Sequence, residues 1–275
     1  MRKEKPPASY RHLKAMAMAV AAVGTILPSQ VYATERHFTY TYETGVLPAG
    51  GRELEQWVTA RVGREHYYSR IDTRTEYEIG LTDRLQGALY LNAKSISRED
   101  SQGEKESTFE FAGVSLEVKY KLLDPVAHPV GLGFYGEVTA SADELEQEVK
   151  VLIDKRVGAV LLAANLVAEN EWEFGPGAPE RTFELKAFGG IAYVLRSRAS
   201  IGIELMNSNK FPDGQGLEHS ALFLGPVLSY AAERWWLAFT LLAQLPALKG
   251  SQPGDSRILS DHEKINGRLL FGLHF

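Results

Sequence analysis

Apolar and polar residues alternate at every second position along most of the chain that follows residue 51. In the stretch 70–79, Arg, Asp and Glu occupy the even positions, whereas Ile, Thr and Tyr occupy the odd ones. Successive side chains of a β-strand point to opposite faces, so such a stretch has one charged face and one less polar face. On an α-helix the same charges would be scattered around the axis. The pattern therefore predicts strands with two chemically different faces.

The alternation predicts twelve strands that are long enough to cross a membrane. They are placed at 52–63, 67–80, 84–98, 107–122, 129–141, 143–155, 157–170, 181–195, 198–207, 218–231, 234–246 and 261–275. A tilted strand needs about 9–11 residues to cross the hydrocarbon layer, whereas strands of soluble proteins average about 5–6 residues. Short connections such as 81–83 mostly alternate with longer, Gly- and Pro-rich ones such as 247–260. The predicted fold class is all-β, a transmembrane antiparallel up-and-down β-barrel of about 12 strands.

Both ends of the sequence favour the outer membrane over a soluble β-sandwich or lipocalin-like barrel, which alternation alone would also allow. Basic residues near the start precede an apolar run over 15–27 and the tripeptide VYA, which ends at Ala33. The run is well short of the roughly 20 residues of a membrane helix, so 1–33 is predicted to be a signal peptide cleaved after Ala33. The last residues resemble the terminal signature that the barrel assembly machinery reads in Gram-negative outer-membrane proteins, carried here by Leu269, Phe271, Leu273 and Phe275.

Charge and cysteine content exclude several other classes of protein. The formal net charge is −5, and loss of the basic segment 1–33 makes the mature chain more acidic still. An acidic chain argues against nucleic acid as a partner. The sequence contains no cysteine, which excludes disulfides, thiolate metal sites and a catalytic thiol. No linker divides 52–275, so the barrel is predicted to be one domain.

If one face of the barrel meets lipid, the other face lines the lumen. The candidate lumen-lining residues on that face are Arg61, Arg70, Asp72, Arg74, Glu76, Glu78, Glu117, Lys119, Glu137, Lys150, Asp154, Glu184, Lys186, Glu204, Lys264 and Arg268. Interleaved charges of both signs can pair between neighbouring strands, so they serve either to satisfy a polar interior or to bind a solute. Later strands turn apolar residues such as Leu161, Phe188 and Phe223 inward. Either something packs against them or the pore passes molecules with apolar parts.

Residues 34–51 are left over by the twelve-strand assignment. Phe38, Tyr40 and Tyr42 alternate with polar residues there, and Gly50 and Gly51 interrupt the pattern before the first strand. The segment is an extra strand, a periplasmic tail or an insert inside the barrel. An extra strand would spoil the even strand count, and a tail would leave three aromatic rings in water. We therefore expect 36–44 to be a plug-like element that narrows the pore.

No catalytic, metal or cofactor site is predicted. The motifs GxSxG, HExxH and the phosphate-binding glycine loop are missing from the sequence. His219 and His262 face inward by parity, but the histidines have no ligand-like spacing. Glu144, Glu146 and Glu148 form an acidic cluster, which either holds a divalent ion or is a solvated strand end.

Four stretches carry a resemblance to a family: TYTYETGVLPAGGRELEQW, EYEIGLTDRLQGALYLN, SLEVKYKLLDPVAHPVGLGFYGEV and FLGPVLSYAAERWWLAF. They resemble largely uncharacterised Gram-negative outer-membrane barrels that are loosely allied with the phenol meta-cleavage pathway, the MetA-type family. The resemblance implies a barrel in contact with outer-membrane lipid and the barrel assembly machinery. The function expected first is a narrow channel for small solutes. The alternatives are a non-conducting structural or adhesion barrel and an outer-membrane enzyme that acts on lipid.

Overall fold

Twelve antiparallel strands close into a barrel when the first pairs with the last. The computed structural model describes residues 36–100, 102–195 and 198–275. Its strands are β1 (Arg52–Val62), β2 (Tyr68–Thr82), β3 (Leu85–Glu99), β4 (Lys105–Leu123), β5 (Gly131–Ala140), β6 (Glu144–Val157), β7 (Val160–Glu173), β8 (Glu180–Val194), β9 (Ala199–Pro212), β10 (His219–Ala231), β11 (Trp235–Gln244) and β12 (Ile265–His274). The predicted fold class is confirmed. The predicted signal peptide and its cleavage after Ala33 lie outside the described residues.

The barrel is apolar outside and polar inside. On β4, Leu116 is 64% exposed, whereas the adjacent Glu117 is 3% exposed. Exposed apolar residues and buried polar residues alternate in the same way around the barrel. The exposed ones form a continuous apolar belt, far larger than the apolar patches on the surface of a soluble monomer. Lipid is the environment that suits this belt, because the closed sheet satisfies every strand hydrogen bond internally. No helix in the described part of the chain is long and apolar enough to span a membrane.

Connections at the two ends of the barrel differ in length. We call the end where β1 begins and β12 finishes the turn end, and the opposite end the loop end. Outward-facing aromatic rings cluster at the turn end, where Tyr77 lies 6.2 Å from Phe275 and Trp235 stacks 6.1 Å from Phe271. Such rings suit the headgroup zone of a bilayer. The longest connection, 245–264, lies at the loop end.

Two strand boundaries differ clearly from the prediction. Strand β9 continues to Pro212, beyond the expected residue 207, because it keeps pairing with β8 as far as Thr182. Strand β12 begins at Ile265 and not at 261. Arg64 binds the Glu263 carboxylate at 2.9 Å and the Asp261 carbonyl at 2.9 Å, which turns these residues away from the sheet.

Candidate functional site in the barrel lumen

Residues 36–49, which we call the inner segment, precede β1 and lie inside the barrel without joining the sheet. Their three aromatic rings enter three separate buried clusters. Phe38 packs with Leu161, and Tyr40 packs with Phe223. Tyr42 lies 5.1 Å from the ring of Tyr135 and 6.3 Å from that of Trp57.

Side chains of the barrel wall bind the backbone of the inner segment. The Glu204 carboxylate accepts hydrogen bonds from the amides of Thr39, Tyr40 and Thr41 at 3.0, 3.0 and 2.7 Å. The Asn165 side chain accepts from the Tyr42 amide at 2.6 Å and donates to its carbonyl at 2.9 Å. A buried backbone outside a sheet needs such partners, since each unpaired group costs about 1–3 kcal/mol.

Nearer β1, two more wall residues continue this pattern. Asp154 on β6 accepts from the Thr44 hydroxyl at 2.7 Å, and Gln86 on β3 accepts from the Leu47 amide at 2.8 Å. Gly190 leaves room for the Phe38 ring, because a Cβ atom at position 190 would lie only 2.5 Å from that ring. The wall thus fits the inner segment in both shape and hydrogen bonding.

Side chains fill the lumen at the turn end. The buried residues of this layer include Glu53, Glu55, Trp57, Glu76, Glu78, Tyr90, Glu117, Trp236, Leu270 and His274. Arg36 of the inner segment reaches into the layer, where its guanidinium lies 4.1 Å from the centre of the Tyr42 ring and 3.8 Å from Glu55. Together with the inner segment, this layer occupies the lumen on the turn-end side.

A cavity of about 640 Å³, which we call the vestibule, lies in the lumen, with Tyr40 and Tyr42 among its lining. Its two sides carry opposite charge. The basic wall comprises Arg61, Arg64, Arg70, Arg74 and Lys94 on and beside β1–β3. The acidic wall comprises Glu144, Glu146, Glu148, Glu169, Glu171, Glu173 and Glu184 on β6–β8. In a closed ring of twelve strands these groups lie roughly opposite each other, so a field crosses the cavity.

Ion pairs neutralise part of each wall. Arg74 binds Glu137 through two hydrogen bonds of 2.9 and 3.1 Å. Asp72 bridges Arg61 and Arg70, at 3.2 and 2.7 Å. On the acidic wall, Lys186 lies 2.6 Å from Glu169 and 3.2 Å from Glu184. These pairs fix long side chains in place and leave Glu144, Glu146, Glu171 and Glu173 without an ion pair to a described residue.

The connection 245–264, which we call the long loop, folds back over the vestibule. Ile258 is buried beside Tyr40, and the Gln244 side chain holds its backbone with hydrogen bonds of 2.9 and 3.2 Å. The Nε2 atoms of His219 and His262 lie 3.0 Å apart. Burial lowers the pKa of His262 to about 4. Lys210 adds a 2.7 Å ion pair to Asp261.

The predicted lumen-lining residues fall into three groups. Those that line the vestibule are Arg61, Arg70, Asp72, Arg74, Lys150, Glu184, Lys186 and Arg268. Those that are buried or half-buried on the strands and do not line the vestibule are Glu76, Glu78, Glu117, Lys119, Glu137, Asp154 and Glu204. Lys264 precedes β12, is exposed and is not among the residues that line the vestibule.

Two features escaped the sequence reasoning. The roles of Asn165 and Gln86 in binding the inner segment could not be read from parity, which gives a face but no partner. The histidines, interpreted as scattered, include the contact between His219 and His262, which are 43 positions apart. Their shared inward parity was the available signal.

The closed barrel, its apolar belt and its polar lumen define an outer-membrane β-barrel. The chain belongs to a family of unknown function, DUF6662, whose model matches residues 30–275. Among solved structures, it is similar to the COG4313 outer membrane channel from Pseudomonas putida F1, with a TM-score of 0.60 and 15% identity over 84% of this chain and 98% of that one. It is also similar to the NanC porin, with a TM-score of 0.50 and 13% identity over 81% of this chain and 98% of that one.

No curated protein matches the sequence. The two structures share this fold and are, by their descriptions, an outer membrane channel and a porin. Outer-membrane localisation follows from this fold and from the apolar belt. The resemblance to the MetA-type family stays a prediction.

Proposed function

We propose that the protein is a narrow outer-membrane channel for small solutes, and that the inner segment closes its lumen. The observation that carries the proposal is how this segment is bound. Its backbone is held by wall side chains such as Glu204 and Asn165 and by no strand pairing. It can therefore leave the lumen while the twelve-strand sheet stays intact.

The vestibule supports small charged or dipolar solutes as the cargo. Its volume of about 640 Å³ suits a small molecule, and its two walls would orient a solute with separated charges. Long loops of such barrels normally face the outside, which would place the vestibule at the extracellular mouth. The resemblance to barrels allied with phenol degradation assigns no phenolic solute.

A reversible crosslink tests the closure. In this cysteine-free chain, Tyr40→Cys and Phe188→Cys place one thiol on the inner segment and one on the wall, both lining the vestibule. We expect single-channel steps in planar bilayers before crosslinking, silence after joining the thiols with a cleavable reagent, and recovery on cleavage. The matched control is Phe188→Cys with Met206→Cys, which are directly paired on β8 and β9 and leave the inner segment free. Conductance that persists in the crosslinked test pair would show that the inner segment is not the closure.

The same recordings separate the alternatives. A wild type and a deletion of 36–44 that are both silent would favour the structural or adhesion barrel. The lipid-acting enzyme would need a serine beside a histidine. Ser208, which lines the vestibule, donates to Glu184 at 2.8 Å instead, whereas the Ser251 Oγ of the long loop lies 3.4 Å from Nδ1 of His219. Turnover of phospholipid in mixed micelles would instead indicate that the protein is a lipid-acting enzyme.

A further inference from the structure

Five glutamates meet inside the barrel at the turn end. They are Glu53 and Glu55 on β1, Glu76 and Glu78 on β2, and Glu117 on β4, and each is at most 7% exposed. The strand register places Glu53 directly opposite Glu78, and Glu55 directly opposite Glu76. Like charges in such positions destabilise a sheet, and burial removes the water that would screen them. The arrangement therefore requires a compensating positive charge.

The side chains around the cluster supply only part of that charge. Arg36 lies 3.8 Å from Glu55, and the His274 ring lies 2.9 Å from Glu53. Lys119 on β4 acts on Glu78 and Glu117 without coming within ion-pair distance of either. Arg74 is already bound at two points to Glu137. Among the described residues, no Lys or Arg forms an ion pair with Glu76, Glu78 or Glu117.

Hydrogen bonds from tryptophan and tyrosine side chains satisfy three of the five carboxylates, those of Glu53, Glu55 and Glu117. Trp57 donates to Glu55 at 2.7 Å, and Tyr90 donates to Glu117. Glu76 is 1% exposed, and neither of its carboxylate oxygens has a hydrogen-bond partner in the described part of the chain. Leaving a buried carboxylate unpaired is costly, so these two oxygens indicate a missing ligand.

The geometry suits one divalent cation held by oxygen atoms. Carboxylate oxygens of Glu76, Glu78 and Glu117 all lie within 4.8 Å of one another. Ca²⁺ binds 6–8 oxygens at about 2.3–2.6 Å, so two ligands of one ion are at most about 5 Å apart. Three carboxylates can supply up to six oxygens without water, whereas Mg²⁺ usually keeps several waters. A site with no nitrogen or sulfur ligand also disfavours Zn²⁺.

We propose that Glu76, Glu78 and Glu117 bind a Ca²⁺ ion inside the barrel wall, beneath the inner segment. Glu78 is the central ligand, because it also lies within 4.8 Å of Glu53 and Glu55. The ion neutralises the opposed carboxylates and joins β2 to β4 across β3. This inference is independent of whether the protein conducts.

Terbium luminescence tests the site in the full-length protein. Tb³⁺ replaces Ca²⁺, and the Trp57 indole, which donates to Glu55, is close enough to sensitise it. Because the cluster is buried, the ion is added before refolding in detergent. We expect saturable emission that Ca²⁺ displaces and Mg²⁺ at equal concentration does not. The double variant Glu76→Gln with Glu78→Gln should bind at least tenfold more weakly, whereas the control Glu233→Gln, an exposed residue in the turn after β10, should bind normally.

A stability measurement keeps the proposal testable if the double variant does not fold. In EDTA, the Glu76→Gln variant lacks the negative charge that faces Glu55 in wild type. Its unfolding temperature should therefore be no lower than that of wild type. With Ca²⁺, only wild type and Glu233→Gln should gain stability. Wild type that shows no displaceable emission and no Ca²⁺-dependent gain would overturn the proposal. So would emission that survives the double variant or that disappears on Glu144→Gln with Glu146→Gln in the vestibule.

Discussion

Glu204 shows how much of the lumen depends on single buried side chains. It is 0% exposed, and its carboxylate accepts from three consecutive backbone amides of the inner segment and from the Thr240 hydroxyl. Parity along β9 correctly predicts that this residue faces inward. It does not predict the three amide partners, because they lie more than 160 positions away in a segment outside the sheet.

Replacing this carboxylate should loosen the inner segment without breaking the barrel. In Glu204→Gln, an amide NH₂ group replaces one acceptor oxygen and faces the amide donors of residues 39–41. Hydrogen bonds to a charged group contribute about 1.5–3 kcal/mol, so we expect hydrogen exchange at Thr39, Tyr40 and Thr41 to accelerate roughly 10- to 100-fold. Glu171→Gln is the control, since it changes the vestibule lining without touching these amides. Equal exchange in the two variants would contradict this role of Glu204.

The sequence predicts that the long loop is a connection between strands, but it does not predict the conformation of the loop. Its Gly, Pro and Ser content predicted a connection, and the structure has one. The inward fold of the loop depends on tertiary contacts, among them the burial of Ile258 and the contact between His219 and His262. The same contacts explain why β12 starts at Ile265, since Arg64 holds the residues just before it away from the sheet.

Acid should release the long loop. Burial lowers the pKa of His262 from the usual 6.5 to about 4, so the released loop binds more protons than the folded one between those values. Attachment of the loop is therefore strongest above pH 6.5 and weakens as the pH falls to 4, by at most about 3 kcal/mol. Asp261, the neighbouring carboxylate, has its pKa lowered by its bonds to Lys210 and Ser260 despite burial, so it changes charge only below this window.

Hydrogen exchange over residues 253–262, corrected for the pH dependence of the intrinsic rate, measures this release. We expect it to rise between pH 7 and pH 4.5 in wild type and to stay nearly constant in His262→Gln, which cannot take up a proton. The turn 124–130 provides an internal reference, since hydrogen bonds from Val126 and Lys121 hold the pKa of Asp124 below its usual value. A pH response of the same size in His262→Gln would assign the release to another group.

For the whole molecule, the alternation in the sequence predicts the strands and their faces. It does not predict which residues lie at the same level along the barrel axis once the sheet has closed. Strand number, the faces of β2 and β4 and the inner face of β7 all follow from alternation. The separation of charge into two walls does not, because it depends on which residues share a level after twelve tilted strands close. Arg70 and Glu171, for example, line the same cavity from β2 and β7, and no local pattern relates them.

That separation of charge should set the ion preference of the open channel. The test variant is Arg70→Glu with Lys94→Glu, because both residues belong to the basic wall. Arg74 is kept because it binds Glu137 at two points, whereas Asp72, the partner of Arg70, also binds Arg61. With the inner segment released by deletion of 36–44, we expect the reversal potential in a KCl gradient to shift towards cations. Arg84→Glu with Arg234→Glu changes net charge equally, but at exposed turns away from the vestibule, and should leave the potential unchanged. Equal reversal potentials for the two double variants would show that the basic wall does not line the conduction path.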